Sequence, residues 1–90
     1  MKTVTIDCTG IRDKAGFHDA MEEALEFPSW YGKNLDALHD CMTEVFTNTR
    51  ICFVNWHCLE ETLGLYTVAI RRAMNHAAEE NPCIEIVYEN

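Results

Sequence analysis

The sequence predicts an α/β domain in which a three-stranded parallel sheet is packed with about four helices, in the order β-α-α-β-α-α-β. Three short strand-like segments, at residues 3–8, 51–54 and 83–89, are separated by stretches with helical periodicity. Strands that are connected through helices are expected to pair in parallel, with right-handed crossovers. At this length we expect a single domain over residues 1–90.

The first third of the chain supplies one strand and one helix. Residues 3–8 alternate between apolar and polar side chains, which is typical of a half-buried strand. Its inward face is predicted to comprise Val4, Ile6 and Cys8. From Asp13 the apolar spacing becomes helical, and Pro28 marks the end of this helix. His18, on the same helix, is interpreted as a surface residue, as is His76 near the other end of the chain.

The second helix begins after Asn34, a natural N-cap residue. Its apolar stripe is predicted to comprise Leu35, Leu38, Met42 and Val45. The strand at 51–54 is apolar on both faces, which favours a central position in the sheet, and Trp56 after it is expected in the core. Helices at 58–63 and 67–80 then lead to the last strand.

The composition excludes several functional classes. Seven Lys and Arg residues against 15 Asp and Glu residues give a net charge of −8, which disfavours nucleic acid or an anionic membrane as a direct partner and favours a basic one. No apolar run approaches the roughly 18 residues of a membrane span, and no signal peptide is visible, so we expect a cytoplasmic protein. Five cysteines without a CxxC pair indicate reduced thiols.

The polar face of the second helix carries four side chains: Asp36, His39, Asp40 and Thr43. The two aspartates are one turn apart, and like charges at that spacing destabilise a helix by about 0.2–0.5 kcal/mol. The spacing alone is compatible both with a solvated face and with a binding face. Trp30, Tyr31 and Gly32 precede the helix, and aromatics beside unpaired carboxylates are typical of an interface with a basic surface. Alternatively, one of the two aromatics caps the core.

Catalysis and metal binding are disfavoured. Paired carboxylates act as acid and base only when burial raises one pKa, and this helix face is expected to be open. Two sets of residues could supply metal ligands: Cys52, His57 and Cys58, or Asp36, His39 and Asp40. Neither has an established ligand spacing. We therefore predict no enzyme activity, no cofactor and no metal.

Residues 30–43, Trp-Tyr-Gly-Lys-Asn-Leu-Asp-Ala-Leu-His-Asp-Cys-Met-Thr, resemble the signature segment of the barstar family, intracellular inhibitors of the secreted ribonuclease barnase. The resemblance implies that the second helix and the loop before it plug the nuclease active site. It implies that the Asp40 carboxylate takes the place of the RNA phosphate, that Asp36 pairs with an arginine and that Trp30 packs against the nuclease. The partner-binding residues are then Trp30, Tyr31, Gly32, Asn34, Leu35, Asp36, His39, Asp40, Thr43 and Glu44.

The function implied is inhibition of a basic, barnase-like ribonuclease by a protein that is monomeric when free. The alternative is a barstar-like interaction module for a basic partner that is not a nuclease. Both predict binding through the acidic helix, but only the first predicts that a ribonuclease is inhibited.

The chain departs from the better-known family members at several positions. It has His39, Glu44 and Val45 where they carry tryptophan, glycine and tryptophan, and Lys33 where they carry an acid. At the position where the last helix of those members usually offers an acid to the nuclease, this chain has Ala77. Glu79 and Glu80 are the nearby acids that could substitute for it. His39 lies between acids, so we expect binding to change between about pH 6 and 8.

Overall fold

A central strand with a neighbour on each side organises the molecule. In the computed structural model, which describes residues 1–90, β2 (Thr49–Val54) pairs in parallel with both β1 (Lys2–Asp7) and β3 (Ile84–Tyr88). The strand order is therefore β1-β2-β3. This confirms the central position predicted from the apolar character of β2, which begins two residues earlier than expected.

Four helices connect the strands: α1 (Lys14–Leu25), α2 (Leu35–Thr43), α3 (Trp56–Leu63) and α4 (Tyr66–Glu80). The predicted fold class and the order β-α-α-β-α-α-β are confirmed. Several boundaries differ from the predictions by one or two residues. Cys8 lies in a short 3-10 turn rather than in β1, and α3 begins at Trp56 rather than at Cys58.

The core is built from apolar side chains of the three strands and all four helices. The predicted inward residues of β1 and the predicted core residue Trp56 are buried. In α2, Leu38 and Met42 are fully buried, and α2 packs mainly against α4. Val45, predicted to lie in the helical stripe, comes after the end of α2 and is only partly buried. No helix has the combination of length and apolar character that a membrane crossing needs.

His18 corrects a prediction, because α1 directs its side chain into the interior instead of to the surface. Its Nδ1 lies 2.6 Å from the hydroxyl of Tyr31, and its Nε2 lies 2.9 Å from the hydroxyl of Tyr66. Both ring nitrogens therefore have partners although the imidazole is out of water. Burial lowers the pKa of His18 and raises that of both tyrosines. His76 is exposed, as predicted.

Candidate protein-binding site

The polar face of α2 presents Asp36 and Asp40 to solvent. The Asp40 side chain is 78% exposed, and the one nitrogen-bearing side chain within 4.0 Å of its carboxylate is His39, with 3.5 Å between Nδ1 and Oδ1. No Lys or Arg side chain comes within 4.0 Å of either aspartate. The two carboxylates are therefore available to a cation from another molecule.

The N-terminal end of α2 is fixed by a side-chain cap, as predicted. The Asn34 Oδ1 accepts a hydrogen bond of 2.8 Å from the backbone N–H of Ala37, and its Nδ2 donates to the Gly32 carbonyl at 3.3 Å. Gly32 leaves room for this cap, since an added Cβ would lie 3.3 Å from that Nδ2 and 3.4 Å from the Ala37 Cβ, a tight contact. Asp36, in the first turn, is stabilised by the positive end of the helix dipole.

The adjacent aromatics Trp30 and Tyr31 have opposite environments. Trp30 is 73% exposed, whereas Tyr31 is only 4% exposed and packs on Phe27 with 4.9 Å between ring centroids. Since its hydroxyl contacts His18, Tyr31 joins the loop to α1. The expectation that one of the two caps the core is confirmed. The buried side chain of Tyr31 therefore supports the loop that displays Trp30, and the assignment of Tyr31 to the partner-binding residues stays a prediction.

The remaining predicted contacts lie along or just after α2. Leu35 is half-buried, and Thr43 donates its hydroxyl to the Asp40 carbonyl at 2.8 Å. Glu44 is exposed and caps the C-terminal end of the helix through its backbone N–H. The Thr43 hydroxyl is thus already engaged within the helix, whereas Glu44 adds a free carboxylate.

α4 contributes an acid to this region through Glu80. Its Oε1 lies 3.3 Å from Nε2 of His39, so the imidazole connects the carboxylates of Asp40 and Glu80. Ala77 is fully buried, whereas Glu79 is exposed and makes no ion pair. Of the two substitutes considered from the sequence, the geometry brings Glu80 to α2.

Asn81 is a positioning residue that sequence reasoning missed. Its buried side-chain amide donates to the carbonyls of Val45, Met42 and Thr43, at 2.7, 3.0 and 3.4 Å. These groups belong to the C-terminal end of α2, where carbonyls lack helical partners. Its Oδ1 accepts from the backbone N–H of Cys83 at 3.0 Å, which fixes the orientation of the amide. A single asparagine therefore anchors α2 to the start of β3.

Lys33, the one base in this loop, pairs with acids of α1. It takes a left-handed conformation with φ of 53°, and its Nζ lies 2.7 Å from Asp19 and 3.8 Å from Glu22. The hydrogen bond with Asp19 raises the pKa of Lys33. Lys33 therefore pairs with acids of α1 and does not neutralise the carboxylates of Asp36 and Asp40.

The structure does not assemble either set of metal ligands considered from the sequence. No group of three or more His, Cys, Asp or Glu side chains is placed to hold a metal ion. His57 and Cys58 approach each other, with 3.5 Å between Nε2 and Sγ, but Cys52 does not join them in such a group.

Comparison with known proteins identifies the family. A family model described as Barstar (barnase inhibitor) matches residues 1–89. The chain belongs to the barstar family. A curated relative in Bacillus subtilis (strain 168), named "Putative ribonuclease inhibitor YrdF", is 32% identical over 81 residues, which are 89% of this chain and 89% of the relative. The resemblance first seen in residues 30–43 therefore extends over nearly the whole chain.

The second half of α2 and the residues just after it combine charge with an exposed aromatic. The His39 imidazole lies 3.3 Å from Glu80. Glu44 adds an exposed carboxylate, and the Phe46 side chain is 90% exposed. The acidic face therefore continues past the end of α2, where it meets aromatic surface.

Proposed function

We propose that this barstar-family chain binds a basic ribonuclease of the barnase type and blocks its active site, using the exposed face of α2 and the loop that displays Trp30. One observation carries the proposal: Asp36 and Asp40 stand unpaired by Lys or Arg on a helix that is anchored at both ends. Each carboxylate is free to accept charge-assisted hydrogen bonds from the arginine side chains that a ribonuclease uses to hold phosphate.

The anchoring of α2 favours tight binding. The cap from Asn34 and the amide of Asn81 hold the helix before any partner arrives. Little conformational entropy is then lost on association, and that loss is one of the main costs of forming a complex. Trp30 adds a large apolar surface that is free to be covered, and tryptophan is enriched among the residues that dominate interfaces.

The charge distribution favours fast association. The net charge is −8, and residues 34–90 carry three bases against nine acids. A field of this sign attracts a basic protein over distances up to about the Debye length, roughly 10 Å at 0.1 M salt. Added salt is therefore expected to slow association much more than dissociation.

The experiment is a titration of barnase activity with this protein at several salt concentrations. We expect inhibition at a 1:1 ratio, with an association rate that falls as salt rises. Absence of inhibition at micromolar concentrations of both proteins would contradict the proposal for barnase. The alternative, an interaction module for a basic partner that is not a nuclease, predicts a complex that leaves ribonuclease activity intact.

A further inference from the structure

A groove of about 400 Å³ opens beside the C-terminal end of α2. We call it the α1–α2 groove, because the ends of both helices border it. The residues used in the argument below are Leu25, Glu26, Phe27, Glu44, Val45 and Phe46. Its volume falls within the range of about 300–1,000 Å³ found for ligand pockets, so it can admit a long side chain.

The groove has a negative electrostatic character. α1 ends at Leu25 and α2 at Thr43, so the negative ends of two helix dipoles lie at its border. Glu26 and Glu44 are the residues that follow these ends, and both carboxylates are exposed. Lys2 also lines the groove and offsets the charge of Glu26, with 3.6 Å between Nζ and Oε2, whereas Glu44 has no basic partner. The groove thus attracts a cation and keeps one carboxylate unpaired.

The lining also offers aromatic and aliphatic surface. Phe27 is partly buried in the wall, and Phe46 is 90% exposed, which is unusual for a phenylalanine that has no partner. Leu25 and Val45 supply aliphatic contacts. A side chain with an apolar stem and a cationic head can bury its methylenes here while the charge meets an aromatic face and a carboxylate.

We propose that the α1–α2 groove receives an arginine side chain of the basic protein that docks on α2. This inference rests on the proposed function and adds a second contact region to it. The groove is continuous with the acidic face, since Glu44 caps α2 one turn after Asp40 and also lines the groove. Arginine fits better than lysine, because a planar guanidinium can stack on Phe46 and at the same time donate to the Glu44 carboxylate.

The test compares two groove variants with matched surface controls. Phe46→Ala and Glu44→Gln are expected to weaken barnase binding by about tenfold or more, the effect of losing an interface contact worth roughly 1.4 kcal/mol. Leu65→Ala removes an apolar side chain that is 87% exposed elsewhere, and Glu61→Gln removes an exposed charge on α3. Both controls should change the affinity less than twofold. Equal affinity for the groove variants and the controls would overturn the proposal.

A second measurement separates failure of the groove from failure of the proposed function. Amide chemical shifts of the free protein are followed by NMR during titration with N-acetyl-argininamide, and with the uncharged N-acetyl-norleucinamide as control. We expect the arginine compound to move the amides of residues 26–27 and 44–47, and Glu44→Gln to reduce the shifts. Such shifts without barnase binding would support the groove and contradict the proposed function. Barnase binding by the wild type, with unchanged affinity in the groove variants and no arginine-specific shifts, would support the proposed function and contradict the groove proposal.

Discussion

His39 on α2 reaches Glu80 on α4, with 3.3 Å between Nε2 and Oε1. The same ring lies 3.5 Å from Asp40 through Nδ1. The imidazole of His39 therefore lies between the carboxylates of Asp40 on α2 and Glu80 on α4. Through one side chain, the acidic face of α2 is thus connected to the C-terminal end of α4.

Replacement of Asn81 should destabilise the fold. Asn81→Ala removes the side-chain donor to the carbonyls of Met42, Thr43 and Val45, of which that of Met42 still accepts from the backbone N–H of Val45. We expect a loss of about 1–3 kcal/mol in the free energy of unfolding. Asn81→Asp should be worse, because a carboxylate would face the same oxygens. Urea denaturation measures both. Asn48→Ala, at an exposed asparagine whose side chain makes no hydrogen bond, serves as the control and should change stability by less than about 0.5 kcal/mol. Equal stability of Asn81→Ala and Asn48→Ala would contradict the assigned anchoring role.

Stability should fall on acidification through the titration of His18. Burial lowers its pKa below the usual 6.5, so the unfolded chain takes up a proton at a higher pH than the folded chain does. The free energy of unfolding therefore decreases as the pH falls below about 6.5. NMR of the imidazole measures the folded pKa directly, and urea denaturation measures stability. A pKa of 6.5 or above for His18 would contradict the prediction, and His76→Gln should leave the pH dependence due to His18 unchanged.

Gly32→Ala should disturb the loop before α2. The added methyl group would lie 3.3 Å from Nδ2 of Asn34, so the capping side chain must shift by a few tenths of an ångström, and we expect a weakened cap that costs up to about 1 kcal/mol. Gly10→Ala is the matched control, because a Cβ there meets nothing within 4 Å. Thermal unfolding compares the two variants. A lower melting temperature is expected for Gly32→Ala alone, and an equal change in both would argue against a specific role of Gly32 in the cap.

Local sequence signals predicted the elements well. Three features depend only on residues that are adjacent in the sequence: the alternation in β1, the apolar character of β2 and the cap at Asn34. Each of them could therefore be predicted without knowledge of the tertiary structure. The exposed carboxylates of α2 followed in the same way from helical spacing. Element boundaries moved by one or two residues because end residues are fixed by tertiary contacts as well as by propensity.

Features that depend on distant partners were missed. His18 was assigned to the surface because a polar residue on an amphipathic helix usually lies there. Its partners Tyr31 and Tyr66 are 13 and 48 residues away in sequence, and only the fold brings them together. The role of the Asn81 amide requires that α4 pack on α2, and no local pattern in the sequence indicates that contact.

The adjacent aromatics illustrate a different limit of the sequence. Trp30 and Tyr31 are both aromatic and lie in a loop without periodicity, so no pattern assigns one to solvent and the other to the core. The Tyr31 hydroxyl finds a buried partner in His18, whereas Trp30 has none and remains outside.

The central claim is that Asp40 meets the phosphate-binding cations of a basic ribonuclease. The most direct measurement is the affinity for barnase of Asp40→Asn, which keeps the shape of the side chain and removes its charge, beside the matched control Glu61→Gln. We expect Asp40→Asn to fold normally and to bind barnase about thirtyfold or more weakly, a loss of about 2 kcal/mol in binding free energy. A loss of about 2 kcal/mol or more marks an interface hot spot, for which the barnase–barstar complex is itself a standard example. Glu61→Gln should bind like the wild type. Wild-type affinity in Asp40→Asn would contradict the claim.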